Sequence, residues 1–220
     1  MKLPYVVGVV GESGVGKTTF ILNLLPKFVN DGFNVAVVKH CIHGFDLDVE
    51  GKDSWRFVQK GATGVLLTAD DKIAIIRKPV DDILYVIQNW FAGYDFVLVE
   101  GYHQLHGIKK INLLRKDISE RILVKGDELL CLVTDFDINT EYAWFKFEDM
   151  DRIYRFIIEH ATKPCIGVRL SVNNRNIELN PFVSTLIRNV VKGMVKSLKL
   201  PDRDIASINI SLYDVNDVKG

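Results

Sequence analysis

The sequence has little that would mark a secreted, membrane-bound or strongly charged protein. It holds three cysteines in 220 residues, Cys41, Cys131 and Cys165, far apart and with no CxxC spacing. That pattern excludes a disulfide framework and a closed Cys-based zinc site, and fits free thiols in a reducing compartment. There is no charge excess: 28 Lys and Arg balance 28 Asp and Glu. A zero balance argues against nucleic-acid or membrane-surface binding through an overall basic field. No apolar run is long enough to span a bilayer. The opening MKLPYVVGVVGESG has only a short apolar run that flows into glycines, so it does not read as a secretory leader. Low-complexity linkers and internal repeats are also missing. The expectation is a cytoplasmic protein with no nucleic-acid or membrane partner.

What is present is a regular alternation of apolar runs. Tyr5–Val10 reads as a strand buried on both faces, and residues 18–31 as a helix kinked at Pro26 and stopped near Gly32. Residues 33–40 read as a second buried strand, which makes strand–loop–helix–strand, the start of a parallel α/β sheet. A polar loop (40–51) and a helix (52–60) follow. Residues 62–70 and 72–78 read as two strands joined by a turn at Asp70–Asp71, and a helix is expected from Pro79 to 91. Strands are expected at 94–102, 110–115 and 128–135. Residues 147–161 read as an amphipathic helix with Ile153, Phe156, Ile157 and His160 on one side. The pattern changes after Pro164. Residues 165–172 and 177–179 read as strands around an NNRN turn, a helix capped by Asn180–Pro181 runs to about Lys199, and a last strand covers 205–211. The expected fold is therefore a P-loop NTPase-like α/β domain over 1–164, with a mostly parallel sheet and flanking helices, and a small β-β-α-β appendix over 165–220.

The strongest chemical signal is GESGVGKT, Gly11 to Thr18, a full match to G-x-x-x-x-G-K-[ST] with a strand before it and a helix after. Gly11, Gly14 and Gly16 free the backbone, so that the N–H groups of Ser13 through Thr19, Val15 included, converge on phosphate oxygens at a helix N-terminus. Lys17 is the residue to reach the β- and γ-phosphates, and the Thr18 hydroxyl a ligand for Mg²⁺. The second metal-facing acid is expected at the end of a neighbouring buried strand, where FVLVEGY supplies Glu100 and then Gly101. Glu100 is also placed to orient water. The loop from Lys39 to Ser54 holds His40, Cys41, His43 and several aspartates. Three readings stay open for it: a transition-metal site, a solvated loop, or a switch that senses substrate or γ-phosphate and uses Lys39, His40 and Asp53. Asp135, after the strand LLCLVTD, is a candidate to read a guanine edge, or else an ordinary strand-end aspartate.

GESGVGKTT, KHCIHGFDLDVEGKDS and DFVLVEGY together resemble the molybdopterin-guanine dinucleotide biosynthesis protein B (MobB) family. The family's second motif runs roughly K-H-T-H-H-D-F-D-V-D-x-P-G-K-D-S, and Lys39, His40, His43, Phe45, Asp46, Asp48, Gly51, Lys52, Asp53 and Ser54 fall in register with it. GAT (61–63) and KINLLR (110–115) are similar to further family segments, so the likeness runs from residue 4 to about 162. This sequence departs from the pattern at Cys41, Ile42, Gly44, Glu50 and His103. The resemblance implies a dimeric, weakly hydrolysing GTP-binding protein. Such a protein assists a molybdenum cofactor guanylyltransferase (MobA-like) that joins GMP to molybdopterin, with the pterin or its guanine dinucleotide as a further ligand. The alternatives are a metallochaperone-type GTPase, with metal on His40, Cys41 and His43, and a small-molecule kinase with Lys52 at the acceptor.

Overall fold

The structure is a computed structural model, described here for residues 3–45, 49–78, 82–161, 168, 170–172, 175–177, 179–198, 208 and 210. Its centre is a six-stranded sheet in the order β2-β5-β1-β6-β7-β8: Val35–Lys39, Phe96–Glu100, Tyr5–Val10, Lys109–Leu114, Leu129–Thr134 and Trp144–Lys146. Every pairing in it is parallel. The remaining elements are α1 (Lys17–Asn30), α2 (Asp53–Gln59), β3 (Gly64–Thr68), β4 (Ile73–Arg77), α3 (Ile83–Trp90), α4 (Met150–Ala161), β9 (Leu170–Val172), β10 (Arg175–Ile177) and α5 (Pro181–Lys196).

The continuous apolar runs of β1 and β5 follow from helices on both faces of the sheet. Side chains alternate along each strand. Val7, Val9, Phe96 and Leu98 point into one core with Phe20, Ile21, Leu24 and Phe28 of α1 and Ile153 and Ile157 of α4. Val6, Val97 and Val99 point into the opposite core with Leu84 and Ile87 of α3. A third cluster joins Val10, Leu114, Val124, Leu129 and Leu132.

Several expectations shift on contact with the structure. The second strand is not buried throughout: among the described residues β2 pairs only with β5, so it lies at the sheet edge, and Val37 is exposed. The helix α1 spans Lys17–Asn30 with Pro26 inside it, beginning one residue before the expected 18. The third helix starts at Ile83, where the Asp82 side chain accepts from the Tyr85 N–H, and residues 79–81 lie outside the described residues. The short strand β8 has no counterpart in the sequence reading, because three residues are too few to show a period. On α4, Ile153 and Ile157 are fully buried and Phe156 packs beside them, but His160 is exposed, with Nδ1 2.7 Å from the Phe156 carbonyl oxygen. In the tail, β10 begins at Arg175, ahead of the expected 177, and pairs antiparallel with β9. Asn180 caps α5 by accepting from the Val183 N–H. The expected last strand, 205–211, lies almost wholly outside the described residues.

Candidate phosphate site at the edge of the sheet

Because all six strands run the same way, their C-terminal ends share one edge. Register places Lys39 beside Glu100, Glu100 beside Val9, Val10 beside Asn112, and Leu114 beside Thr134. The turn after β1, the acid ending β5 and the first residues past β6 and β7 are thereby brought together across long sequence separations.

The loop between β1 and α1 needs its glycines for two distinct reasons. A Cβ on Gly11 would lie 2.8 Å from the Leu113 carbonyl oxygen and 2.8 Å from Val15 Cγ2, so the backbone passes where no side chain fits. Gly16 holds φ +94 at the N-cap of α1, a left-handed conformation costly for any residue with a Cβ. No side chain caps this helix, so its first N–H groups are left to face an anion. Lys17 Nζ donates to the Gly11 and Glu12 carbonyls at 2.9 and 2.8 Å, lying along the loop it belongs to. Burial lowers its pKa, an effect opposed by the nearby charges of Glu100 and Glu12.

Thr18 donates its hydroxyl hydrogen to Glu100 Oε1 at 2.6 Å. The Glu100 carboxylate is buried, and Lys39 Nζ lies 3.6 Å from the same oxygen. A hydroxyl and a carboxylate side by side form an all-oxygen donor set suited to a hard cation such as Mg²⁺. Gly101 follows with φ +78 and Tyr102 with φ +56, so the chain turns sharply after β5. That turn sets Tyr102 face to face with His40, ring centroids 4.0 Å apart and planes within 11°. The expected residues of the Gly11–Thr19 segment, Lys39, His40, Glu100 and Gly101 thus lie along one edge of the sheet, where β1, β2 and β5 end. Asp53 instead opens α2 and pairs with Arg56 at 3.7 Å, while Asp46 and Asp48 lie outside the described residues. Among the described residues, no group of three or more His, Cys, Asp or Glu side chains could hold a metal ion.

The residue missed by sequence reasoning is Arg115, one step past β6. Its Nε donates to the Val15 carbonyl at 3.0 Å, and its guanidinium carbon lies 4.4 Å from the centre of the Phe147 ring. Its NH1 stands 3.6 Å from Asp135 Oδ2, while Asp135 Oδ1 accepts from the Lys116 N–H. The available signal was a charge immediately after the buried run KINLL, at the same sheet edge as Glu100.

A glycine-rich turn between a buried parallel strand and a helix N-terminus, with an acid at the end of the adjoining strand, defines a P-loop NTPase-like α/β protein. The family model for molybdopterin guanine dinucleotide synthesis protein B matches residues 6–135, and the chain belongs to that family. It is 33% identical over 155 residues to the molybdopterin-guanine dinucleotide biosynthesis adapter protein of Haemophilus influenzae, covering 69% of this chain and 86% of that one. A putative adapter protein of the same description from Methanocaldococcus jannaschii is 25% identical and aligns with 88% of this chain and 92% of its own length. A crystal structure of molybdopterin-guanine biosynthesis protein B superposes with a TM-score of 0.54 at 27% identity, covering 70% of this chain and 99% of that one.

Proposed function

We propose that this chain binds GTP with Mg²⁺ in the β1–α1 loop and serves as an adapter to the guanylyltransferase that attaches GMP to molybdopterin. Family membership supports the pathway, and similarity to biosynthesis adapter proteins supports the adapter role. The observation that carries the nucleotide reading is the Thr18–Glu100 hydrogen bond at the N-terminus of α1, where the N-cap residue Gly16 makes no side-chain capping bond. Bound magnesium would supply positive charge between the phosphate oxygens, with Thr18 and Glu100 as its protein-side partners. Lys17 would exchange two loop carbonyls for phosphate oxygens, and Glu100 would orient water. Arg115 is committed to Val15 and Asp135, so we assign it no role in turnover and expect slow hydrolysis by the isolated protein. The metallochaperone alternative needs His40, Cys41 and His43 to converge, and the His40 ring is stacked on Tyr102. We further read residues 1–164 as the nucleotide-binding domain and 165–220 as an extension. The M. jannaschii relative supports this, since its alignment reaches well past the 69% of the chain that the shorter relative covers.

The same reading includes a homodimer. Among the described residues β3 and β4 pair only with each other, and Leu66, Leu67, Ile73 and Ile75 on them are exposed, with α2, which exposes Phe57 and Val58, packed beside β3. A lone two-stranded hairpin is marginal in water, and an apolar hairpin with two open edges is best covered by its own copy in a two-fold arrangement.

Titration calorimetry with Mg²⁺ and non-hydrolysable GTP and ATP analogues tests the nucleotide reading. Guanine-selective binding that Lys17→Ala abolishes is the expected result. Preference for the adenine analogue, or no heat from a folded sample, overturns it.

A further inference from the structure

We propose that Arg115 and Asp135 form a clasp that sets the phosphate loop in its anion-binding conformation, with Asp135 acting as a positioning residue and not as the reader of the base. The proposal rests on the nucleotide reading above for its ligand, but its structural content stands on contacts of the protein alone.

The turn after β6 lies against the outside of the loop along most of its length. Arg115 Nε donates to the Val15 carbonyl, the Ile118 side chain lies next to Gly14, and Arg121 NH1 stands 3.5 Å from Glu12 Oε1. The turn is itself closed by Arg115 and Ser119, whose backbone groups exchange hydrogen bonds of 2.9 and 2.8 Å. Arg115 is held on three further sides: by Val15, by the face of Phe147 and by the Asp135 carboxylate. Asp135 is tied to the same turn through the Lys116 N–H at 3.0 Å. Both carboxylate oxygens therefore face the β6–β7 connection.

The consequence for the loop follows from peptide geometry. The Val15–Gly16 peptide is planar and trans, so its carbonyl and the Gly16 N–H point in opposite directions. Fixing the Val15 carbonyl outward on Arg115 turns the Gly16 N–H inward, toward the concave side of the loop where an anion sits. Without that anchor, convergent N–H dipoles would repel one another, and the glycines would let the peptide flip. The clasp therefore pays in advance the ordering that phosphate binding would otherwise demand. A base reader would act differently: it would change the ratio of guanine to adenine affinity, whereas a clasp changes both together.

The test uses the full chain and its variants Arg115→Ala, Arg115→Lys, Asp135→Asn and Asp135→Ala. Calorimetry with the Mg²⁺ complexes of non-hydrolysable GTP and ATP analogues is combined with amide hydrogen exchange on the unliganded proteins. Arg115→Ala should weaken both analogues by roughly tenfold or more, the scale of a lost hydrogen bond to a charged group. Arg115→Lys should restore part of that loss. The Asp135 variants should weaken both analogues while leaving their ratio within about twofold. In the unliganded protein, amides of Gly14 to Lys17 should exchange faster in Arg115→Ala, while those of β5 stay protected and report an intact fold. Unchanged affinity and unchanged loop exchange in Arg115→Ala overturn the clasp. A collapse of the guanine-to-adenine ratio in Asp135→Asn also overturns it and returns Asp135 to base reading. If the unaltered protein binds neither analogue, the nucleotide reading fails, and the exchange data alone decide whether the clasp orders the loop.

Discussion

Thr18 and Glu100 lie 82 positions apart in the chain, and their side chains meet at 2.6 Å. The hydroxyl stands on the first turn of α1, and the carboxylate ends β5, the parallel neighbour of β1. Burying a carboxylate is costly unless it is paired, and here the pairing comes from that hydroxyl and from Lys39. The acid end of the site is built by the protein's own contacts, before any ligand is considered.

Glu100→Gln should therefore retain the fold, because an amide oxygen can still accept from Thr18. It should lose the negative charge that favours a cation. Nucleotide affinity measured with Mg²⁺ should fall, and the difference between affinities with and without Mg²⁺ should shrink. A variant that keeps the full magnesium dependence would remove Glu100 from the proposed metal site.

Gly11→Ala places a methyl group 2.8 Å from both the Leu113 carbonyl oxygen and Val15 Cγ2, at φ +152. The expected cost is about 1–3 kcal/mol, the range for a residue forced into a sparsely allowed backbone region. Denaturant unfolding should show a lower midpoint, and phosphate binding should weaken with it. An unchanged midpoint would mean that the loop relaxes freely.

Lys110 is fully buried between β1 and the β6–β7 connection, and its ammonium meets Glu128 Oε2 at 2.5 Å. Glu128 also accepts from the Gly107 N–H at 2.9 Å. The hydrogen bond from Lys110 is the chief reason its carboxyl is held down to about 2, from an ordinary value of 4.5. A depressed carboxyl contributes stability that is present above its unfolded value and is lost as pH falls through the folded one. Stability should thus decline between pH 4.5 and about 2 through this group. Glu128→Ala should flatten that part of the profile. It should also destabilise the protein at neutral pH by roughly 2 kcal/mol or more, because it strands a buried ammonium; the partial exposure of Glu128 moderates the cost. Chemical denaturation across this pH range checks both.

Leu66→Lys with Ile73→Lys should convert the proposed dimer to a monomer in sedimentation velocity. Both side chains are exposed on the hairpin, so the sheet core should be untouched and the circular dichroism of the main domain preserved. A monomeric unaltered protein would remove the dimer from the reading.

The sequence by itself determined the strands that border the candidate site. Continuous apolar runs such as YVVGVV and FVLVE occur where a strand is covered on both faces, and the glycine loop between β1 and α1 has a spacing dictated by local geometry. It also placed Lys17, Thr18 and Glu100, because each sits at a fixed offset from a strand end. Short-range patterning failed where burial depends on partners distant in the chain. That β2 is an edge strand and that β8 exists follow from which strands neighbour which, and that His160 faces solvent follows from which face of α4 packs into the core; no local period encodes these. Only the tertiary structure decided the company of Asp135. Its sequence position allows a base reader or a turn residue equally, and the parallel register of β6 and β7 set Arg115 beside it. The physical reason is that local sequence fixes which way a side chain leaves the backbone, while sheet order fixes which charge it meets.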